Sequence, residues 1–151
     1  MRRFFKSFAY AAKGIALCVK KERNFRFHLC AAAVVIFLAA RYYDFNAAHW
    51  AVLFITVFGV LALEAVNSAV ERAVELPDEK HDALAGQAKD LAAGAVLLYC
   101  IGAVCVGAVL FWQPEVFRAI LSDWIRHPMV LLLLAVYVAA AIVFVFKKRE
   151  E

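Results

Sequence analysis

The stretch WAVLFITVFGVLALEAVNSAVERAVE, residues 50–75, decides the architecture. It opens as an unbroken apolar run and then acquires Glu64, Asn67, Ser68, Glu71 and Glu75, at spacings i, i+3, i+4, i+7 and i+11. At 3.6 residues per turn these side chains share an arc of about 100°, one face of a helix. A run of this length without alternation is not a barrel strand, and lipid offers the backbone no hydrogen-bond partners, so the segment must cross a membrane as an α-helix. Counting from Trp50 at about 1.5 Å per residue puts Glu64 roughly 21 Å deep and Glu71 roughly 31 Å, in a hydrocarbon core about 30 Å thick. Glu64 is then inside the membrane and Glu71 at its boundary. An ionisable group at that depth costs a few kcal/mol and ordinarily faces a bundle interior with a task. Transport, a structural hydrogen bond and catalysis each supply such a task.

Outward from this span, three more apolar runs stand at residues 27–43, 91–112 and 129–146. Of the 151 residues 66% are hydrophobic, against roughly 45–50% in soluble domains, and the mean hydropathy is +0.74. Little chain remains for a separate soluble module. The expected fold is all-α and integral to the membrane: an amphipathic surface helix over residues 1–26, followed by a transmembrane bundle. The surface helix is read from Phe4, Phe5, Phe8, Ala12, Ile15, Ala16 and Val19, which fall within about 120° on a helical wheel. Lys6, Lys13 and Lys20 occupy the neighbouring sector, so the helix lies in the interface with its lysines toward anionic headgroups.

Lys and Arg set the orientation. Fourteen lie in the N-terminal segment, residues 70–90 and the C-terminus, and three in the alternate loops. Both termini and the 71–90 segment are therefore expected in the cytoplasm, with residues 44–49 and 113–128 outside. The basic start lacks an uninterrupted apolar core and does not read as a cleaved signal peptide. Cys18, Cys30, Cys100 and Cys105 sit in or beside apolar stretches without His partners at metal-site spacing, and read as small packing residues.

Other charged groups converge on the same face. Glu22 stands in KKERNFRFH just before the first span, and Lys89 and Asp90 in GQAKDLAAGAVL before the third. Asp90 at a helix start also has a structural reason, the positive end of the dipole. A solvated charge run accounts equally for Glu22 by local sequence. Several carboxylates with a lysine beside them have the chemistry to hold Mg2+ together with substrate phosphates.

At this point the residues match a known pattern. LALEAVNSAVE, followed eighteen residues after Glu71 by AKD, with an acid and NFR before the first span, resembles the prokaryotic diacylglycerol kinase family, which includes undecaprenol kinases. The similarity runs over residues 3–112. It implies an ATP-dependent lipid kinase of the bacterial inner membrane, a homotrimer with sites shared between subunits, acting on diacylglycerol or undecaprenol. By resemblance Glu64 is the general base, aided by Asn67. Glu22 and Glu71 hold Mg2+ and hence ATP, and Lys89 and Asp90 lie on the nucleotide side. Tyr10 and Lys13 fall on surface-helix positions near the nucleotide. Arg3 and segment 25–29, with Phe25 and Arg26, are weaker candidates for lipid contact. No Walker loop or soluble-kinase motif is present, and no nucleic-acid partner is expected.

The chain departs from short members of that family beyond residue 112. Residues 113–151 form an extension with a fourth apolar segment whose polar residue is Tyr137, read as packing or anchoring. The 76–86 loop also differs, which leaves nucleotide contacts at residues 79–82 open. Against the kinase stand a small cation or proton transporter using Glu64 and a non-catalytic assembly protein. The first leaves Glu22, Lys89 and Asp90 without a role.

Overall fold

The computed structural model describes residues 2–75 and 83–147, with side chains from Phe4 onward. It is all-α: α1 (Arg2–Lys21), α2 (Arg23–Tyr42), α3 (Ala47–Val74), α4 (Ala83–Phe111), α5 (Pro114–Arg126) and α6 (Pro128–Phe146). Four of these, α2, α3, α4 and α6, are long and apolar enough to cross a membrane. Their surfaces show what surrounds them. Leu98, Val104 and Val109 of α4 are more than 70% exposed, a contiguous apolar surface that is stable only against lipid or another apolar chain. The protein is a multi-pass membrane protein.

The chain breaks where capping chemistry tells it to. Glu22 adopts an extended conformation between α1 and α2, so the division falls at Glu22 and not at residue 26. Asn46 opens α3 with a reciprocal cap: its Oδ1 accepts from the His49 amide at 3.0 Å, and His49 Nδ1 accepts from the Asn46 amide at 3.3 Å. Pro114 and Pro128 stand at the first turns of α5 and α6, where a missing N–H costs nothing.

Antiparallel packing gathers the ends of the spanning helices into two layers. At the aromatic end, Tyr43 donates to the Phe111 carbonyl at 3.0 Å, and the rings of Phe45, Trp50 and Phe111 close over Ala39, Leu53 and Leu110. At the opposite, acidic end, the start of α2, the end of α3 and the start of α4 meet. Between them α3 and α4 approach closely at Gly59. A methyl group there would run into the Tyr99 side chain, whose hydroxyl donates to the Ile55 carbonyl at 3.2 Å.

Two expectations are corrected. Residues 113–128 are not a loop, since α5 occupies most of them. Its apolar positions Val116, Phe117, Ile120, Leu121 and Trp124 recur at helical spacing, a pattern masked by the surrounding charges. The helix of the third span does not begin near Asp90: α4 starts at Ala83, because ALAGQAK contains residues that favour helix. Asp90 therefore lies two turns inside and is not a helix-start residue.

The extension packs on α2. Asp123 of α5 accepts from the Tyr42 hydroxyl at 2.8 Å, and Trp124 Nε1 donates to the same hydroxyl at 3.2 Å. Farther along, the Tyr137 hydroxyl of α6 donates to the Cys30 carbonyl at 2.8 Å. At the acidic end Arg26 Nη1 donates to the Lys147 carbonyl at 3.3 Å, with the guanidinium 5.7 Å from the Phe144 ring centre.

Candidate active site

The acidic face of α3 is where the buried polar groups concentrate. Glu64, Asn67 and Ser68 are 3%, 8% and 4% exposed. Ser68 Oγ donates to the Glu64 carbonyl at 3.0 Å, a bond back along its own helix that frees neither group for chemistry. Asn67 Nδ2 donates to Glu71 Oε1 at 3.4 Å, while Asn67 Oδ1 is buried without a partner among the described residues. An orphaned buried acceptor costs about 1–3 kcal/mol, a cost that a donor from outside the described residues would offset.

Helix α2 supplies the opposite wall. Asn24 lies against the Glu64 carboxylate, and His28, one turn on, lies within electrostatic range of it, as do Glu71 and Glu22. Glu22 is tied by Arg72 Nη2 at 2.6 Å, which fixes the start of α2 against the end of α3. Lys89 of α4 reaches across to Glu75 at 2.8 Å and also feels Glu71. The ammonium beside Glu75 holds its carboxyl below the usual carboxylate range. Helix α1 closes the side with Cys18, buried near Glu22 and Arg72, and burial pushes its thiol up.

Among the sequence-predicted residues, the structure thus brings Glu22, Glu64, Asn67, Glu71 and Lys89 to one end of the bundle. It does not bring in all of them. Tyr10 is 67% exposed on α1, with Lys13 Nζ over its ring at 6.0 Å. Asp90 is exposed on α4. Phe25 is buried, and Arg26 turns toward α6, two residues from Asn24 and so about 200° around the helix from the face that carries Asn24 and His28. The Arg3 side chain and residues 79–82 lie outside the described residues. Sequence reasoning does not single out Asn24 or Arg72, and takes His28 only within segment 25–29. The signal available was Asn24 and His28 at i, i+4, the spacing that puts both on one face.

Among the described residues no group of three His, Cys, Asp or Glu side chains gathers as a self-sufficient metal site. Glu22 and Glu71 nevertheless fit magnesium, which is bound through one or two carboxylates with phosphate oxygens and water completing the shell. In this structure Glu22 is paired with the Arg72 guanidinium.

Comparison with known proteins gives the family. The family model described as "Prokaryotic diacylglycerol kinase" matches residues 9–111. The undecaprenol kinase of Bacillus subtilis (strain 168) is 38% identical over 111 residues, 74% of this chain and 89% of that protein. The diacylglycerol kinase of Synechocystis sp. is 42% identical over 109 residues, 72% of this chain and 62% of the relative. That of Escherichia coli (strain K12) is 31% identical over 111 residues, 74% and 90%. The matched region carries the acidic face of α3 and its partners on α2 and α4, and it ends before α5. The chain belongs to the prokaryotic diacylglycerol kinase family of integral membrane lipid kinases.

Proposed function

We propose that this protein transfers the γ-phosphoryl group of ATP to the hydroxyl of a membrane lipid alcohol, diacylglycerol or undecaprenol, with Glu64 as general base. The observation that carries the reading is a carboxylate 3% exposed on a spanning helix, one to two turns from Asn67 and Glu71. In the reaction the lipid oxygen forms the new bond to Pγ, the bond from Pγ to the bridging oxygen breaks, and ADP leaves. The hydroxyl proton passes to the Glu64 carboxylate. Asn24 and His28 hold that carboxylate in place, and Asn67 Oδ1 accepts a hydrogen bond from water or substrate.

Phosphoryl transfer asks mainly for positioning and for neutralisation of charge. Lys89 stands on the side from which ATP arrives. Magnesium carried with the nucleotide would be held by Glu22 and Glu71, and supplies charge neutralisation on the phosphates. The acceptor stays at the interface while ATP comes from water, so a base one or two turns below the surface meets both. By charge distribution the acidic end and both termini are cytoplasmic, in the bacterial inner membrane. We read residues 1–112 as the catalytic unit, working as a homotrimer with sites shared between neighbours, and residues 113–151 as an added anchor. NFRFH and AKDLAAGAVL favour undecaprenol over diacylglycerol.

The test is Glu64→Gln in purified protein with labelled ATP and each lipid. The kinase reading expects turnover to fall by roughly a factor of 10^3 or more with ATP binding retained. Retained turnover removes Glu64 as the base. Absence of phosphorylated product from either lipid with the unmodified protein removes the kinase, and leaves the transporter and assembly readings.

A further inference from the structure

Helix α2 has a second apolar face, turned away from the acidic site. Val35 packs on the cluster of Ala39, Leu53 and Leu110; Phe37, two residues on, lies about 200° around the helix from it. With Ala33 it forms one side of a groove of about 520 Å³, whose other side is Val130, Leu133 and Tyr137 of α6. The two helices are tied at the inner side of this groove, at Cys30 and Arg26, and at its far end α5 holds α2 through Tyr42. The Tyr137 hydroxyl is spent on the Cys30 carbonyl. The charged side chain in the lining is Arg41, at the aromatic end. Its guanidinium sits 5.1 Å from the Tyr42 ring centre, and Nη2 meets Asp123 Oδ2 at 3.5 Å, the outer limit of a hydrogen bond. Asp123 already has closer partners, the Tyr42 hydroxyl at 2.8 Å and His127 Nδ1 at 3.0 Å. A guanidinium carries five N–H donors, and with the side chain 54% exposed most of these are open to a further acceptor. Val130 belongs to the first turn of α6, so the positive end of that helix dipole lies at the same end.

We infer that this groove holds an anionic phospholipid of the leaflet at the aromatic end: one acyl chain lies between α2 and α6, and the phosphate accepts from Arg41. Length and charge together choose the occupant. Ala33 to Arg41 is roughly 12 Å of helix, most of one leaflet in a hydrocarbon core about 30 Å thick. A groove of that reach suits a chain that ends near the midplane. Its wall is apolar and then presents one cation at the interface, the order of groups in an acyl chain that ends in a phosphate. The planar fork of an arginine takes two phosphate oxygens at once, whereas a lipid alcohol would leave it without an anion. In a bilayer no hydrophobic force presses α6 against α2, so a lipid that touches both helices bridges them. The site is independent of the kinase reading, since it lies on the far side of α2 from Glu64 and half of its wall belongs to the extension beyond residue 112.

The test uses the full chain in detergent, with native mass spectrometry to count retained lipids and thermal unfolding to read their effect. Phosphatidylglycerol is expected to be retained about fivefold more than phosphatidylcholine, the scale for one basic residue against an anionic lipid. Arg41→Gln should lower retained phosphatidylglycerol by about the same factor and abolish the preference, and Arg41→Lys should restore part of it. Ala33→Phe fills the groove and should lower retention of both phospholipids. On the unmodified protein, long-chain phosphatidylglycerol should raise Tm by about 5 °C, and a short-chain version with the same headgroup by less than half as much. That comparison needs no variant to fold. Retention indifferent to Arg41 and Ala33, or equal Tm shifts from the long and short chains, overturns the inference. So does displacement of phosphatidylglycerol by diacylglycerol or undecaprenol, which would give the groove to the lipid alcohol. A changed oligomer mass in Ala33→Phe would give it instead to a second copy of this chain.

Discussion

Arg26 provides the sharpest separation between what family resemblance implies and what the fold shows. By resemblance it belongs with lipid contacts; in the structure it is 5% exposed and bound to the end of α6. Replacing it by Met keeps the aliphatic stem and deletes the guanidinium. What is lost is a long charged hydrogen bond to Lys147 at 3.3 Å, worth about 1.5 kcal/mol at the lower end of its class. A cation over Phe144 at 5.7 Å adds about 0.5–1 kcal/mol, and a positive charge at a helix C-terminus roughly 0.5 kcal/mol. Against these stands Arg26 Nε, buried without an acceptor among the described residues, whose burial costs about 1–3 kcal/mol and vanishes in the variant. The net is about 1 kcal/mol of destabilisation for Arg26→Met. Arg26→Ala, which also loses the stem's packing, should cost about 2 kcal/mol. Thermal unfolding in detergent should show the first as a drop of about 2–4 °C for a chain of this size. In the same preparation KM for the lipid acceptor should stay within about twofold. An unchanged Tm together with a raised lipid KM would refute the assignment and return Arg26 to the substrate.

Other outcomes follow from single contacts. Gly59→Ala places a methyl group against Tyr99 and should destabilise the α3–α4 contact by about 1–3 kcal/mol; pairing it with Tyr99→Ala should recover part of that loss in thermal unfolding. Arg72→Gln breaks the 2.6 Å tie to Glu22, and should raise KM for Mg-ATP more than KM for lipid in steady-state kinetics, because Glu22 loses its register against Glu71. At the aromatic end, Tyr42's hydroxyl holds the Asp123 carboxyl below its usual value, with His127 also contributing. A depressed carboxyl lends stability above its unfolded pKa of about 3.9 and loses it as pH falls through the lower folded value. Tm measured against pH should therefore drop below about pH 4 by more in the unmodified protein than in Asp123→Asn.

The spans, the acidic stripe and the meeting of Glu22, Glu71 and Lys89 were legible in the sequence because each rests on one local rule: apolar length, helical period, or alternation of loops. Glu64 and Asn67 needed nothing more than 3.6 residues per turn. What was not legible depends on pairs from different helices. Nothing local distinguishes Asn24 and His28 from Arg26 in ERNFRFH; rotation of α2 against α3 makes the first two site residues and sends the third to α6. Helix α5 was hidden for another reason, since thirteen residues with mixed charge carry too little apolar density to stand out beside 20-residue spans. Asp90 was misplaced because the first residues of its helix, ALAGQA, are separated from the apolar run by Lys89 and Asp90, so hydropathy alone starts the segment after them.

The two faces of α2 also explain how a fourth spanning helix can be added to this catalytic unit. One face, with Asn24 and His28, belongs to Glu64 and is closed by α3. The other, with Arg26 and Cys30, receives α6 through two hydrogen bonds, while Asp123 and Trp124 of α5 hold Tyr42 at the far end of α2. Spacing matters here, because in lipid there is no hydrophobic force to press one helix on another, and packing with a few hydrogen bonds must hold them. The bonds at Arg26 and Cys30 hold α6 against α2, and those at Tyr42 hold α5 there, so together they oppose rotation of α2. Among its described residues the extension is bonded to α2 away from Glu64, and loosening α6 is expected to let α2 turn and so to shift Asn24 and His28 relative to the Glu64 carboxylate. A double substitution, Tyr137→Phe with Tyr42→Phe, removes the hydroxyls that bond Cys30, Asp123 and Trp124 without touching the acidic end. It is expected to lower kcat severalfold in steady-state assays while KM for ATP holds within about twofold. An unaltered kcat would mean that α2 keeps its rotation from α3 alone.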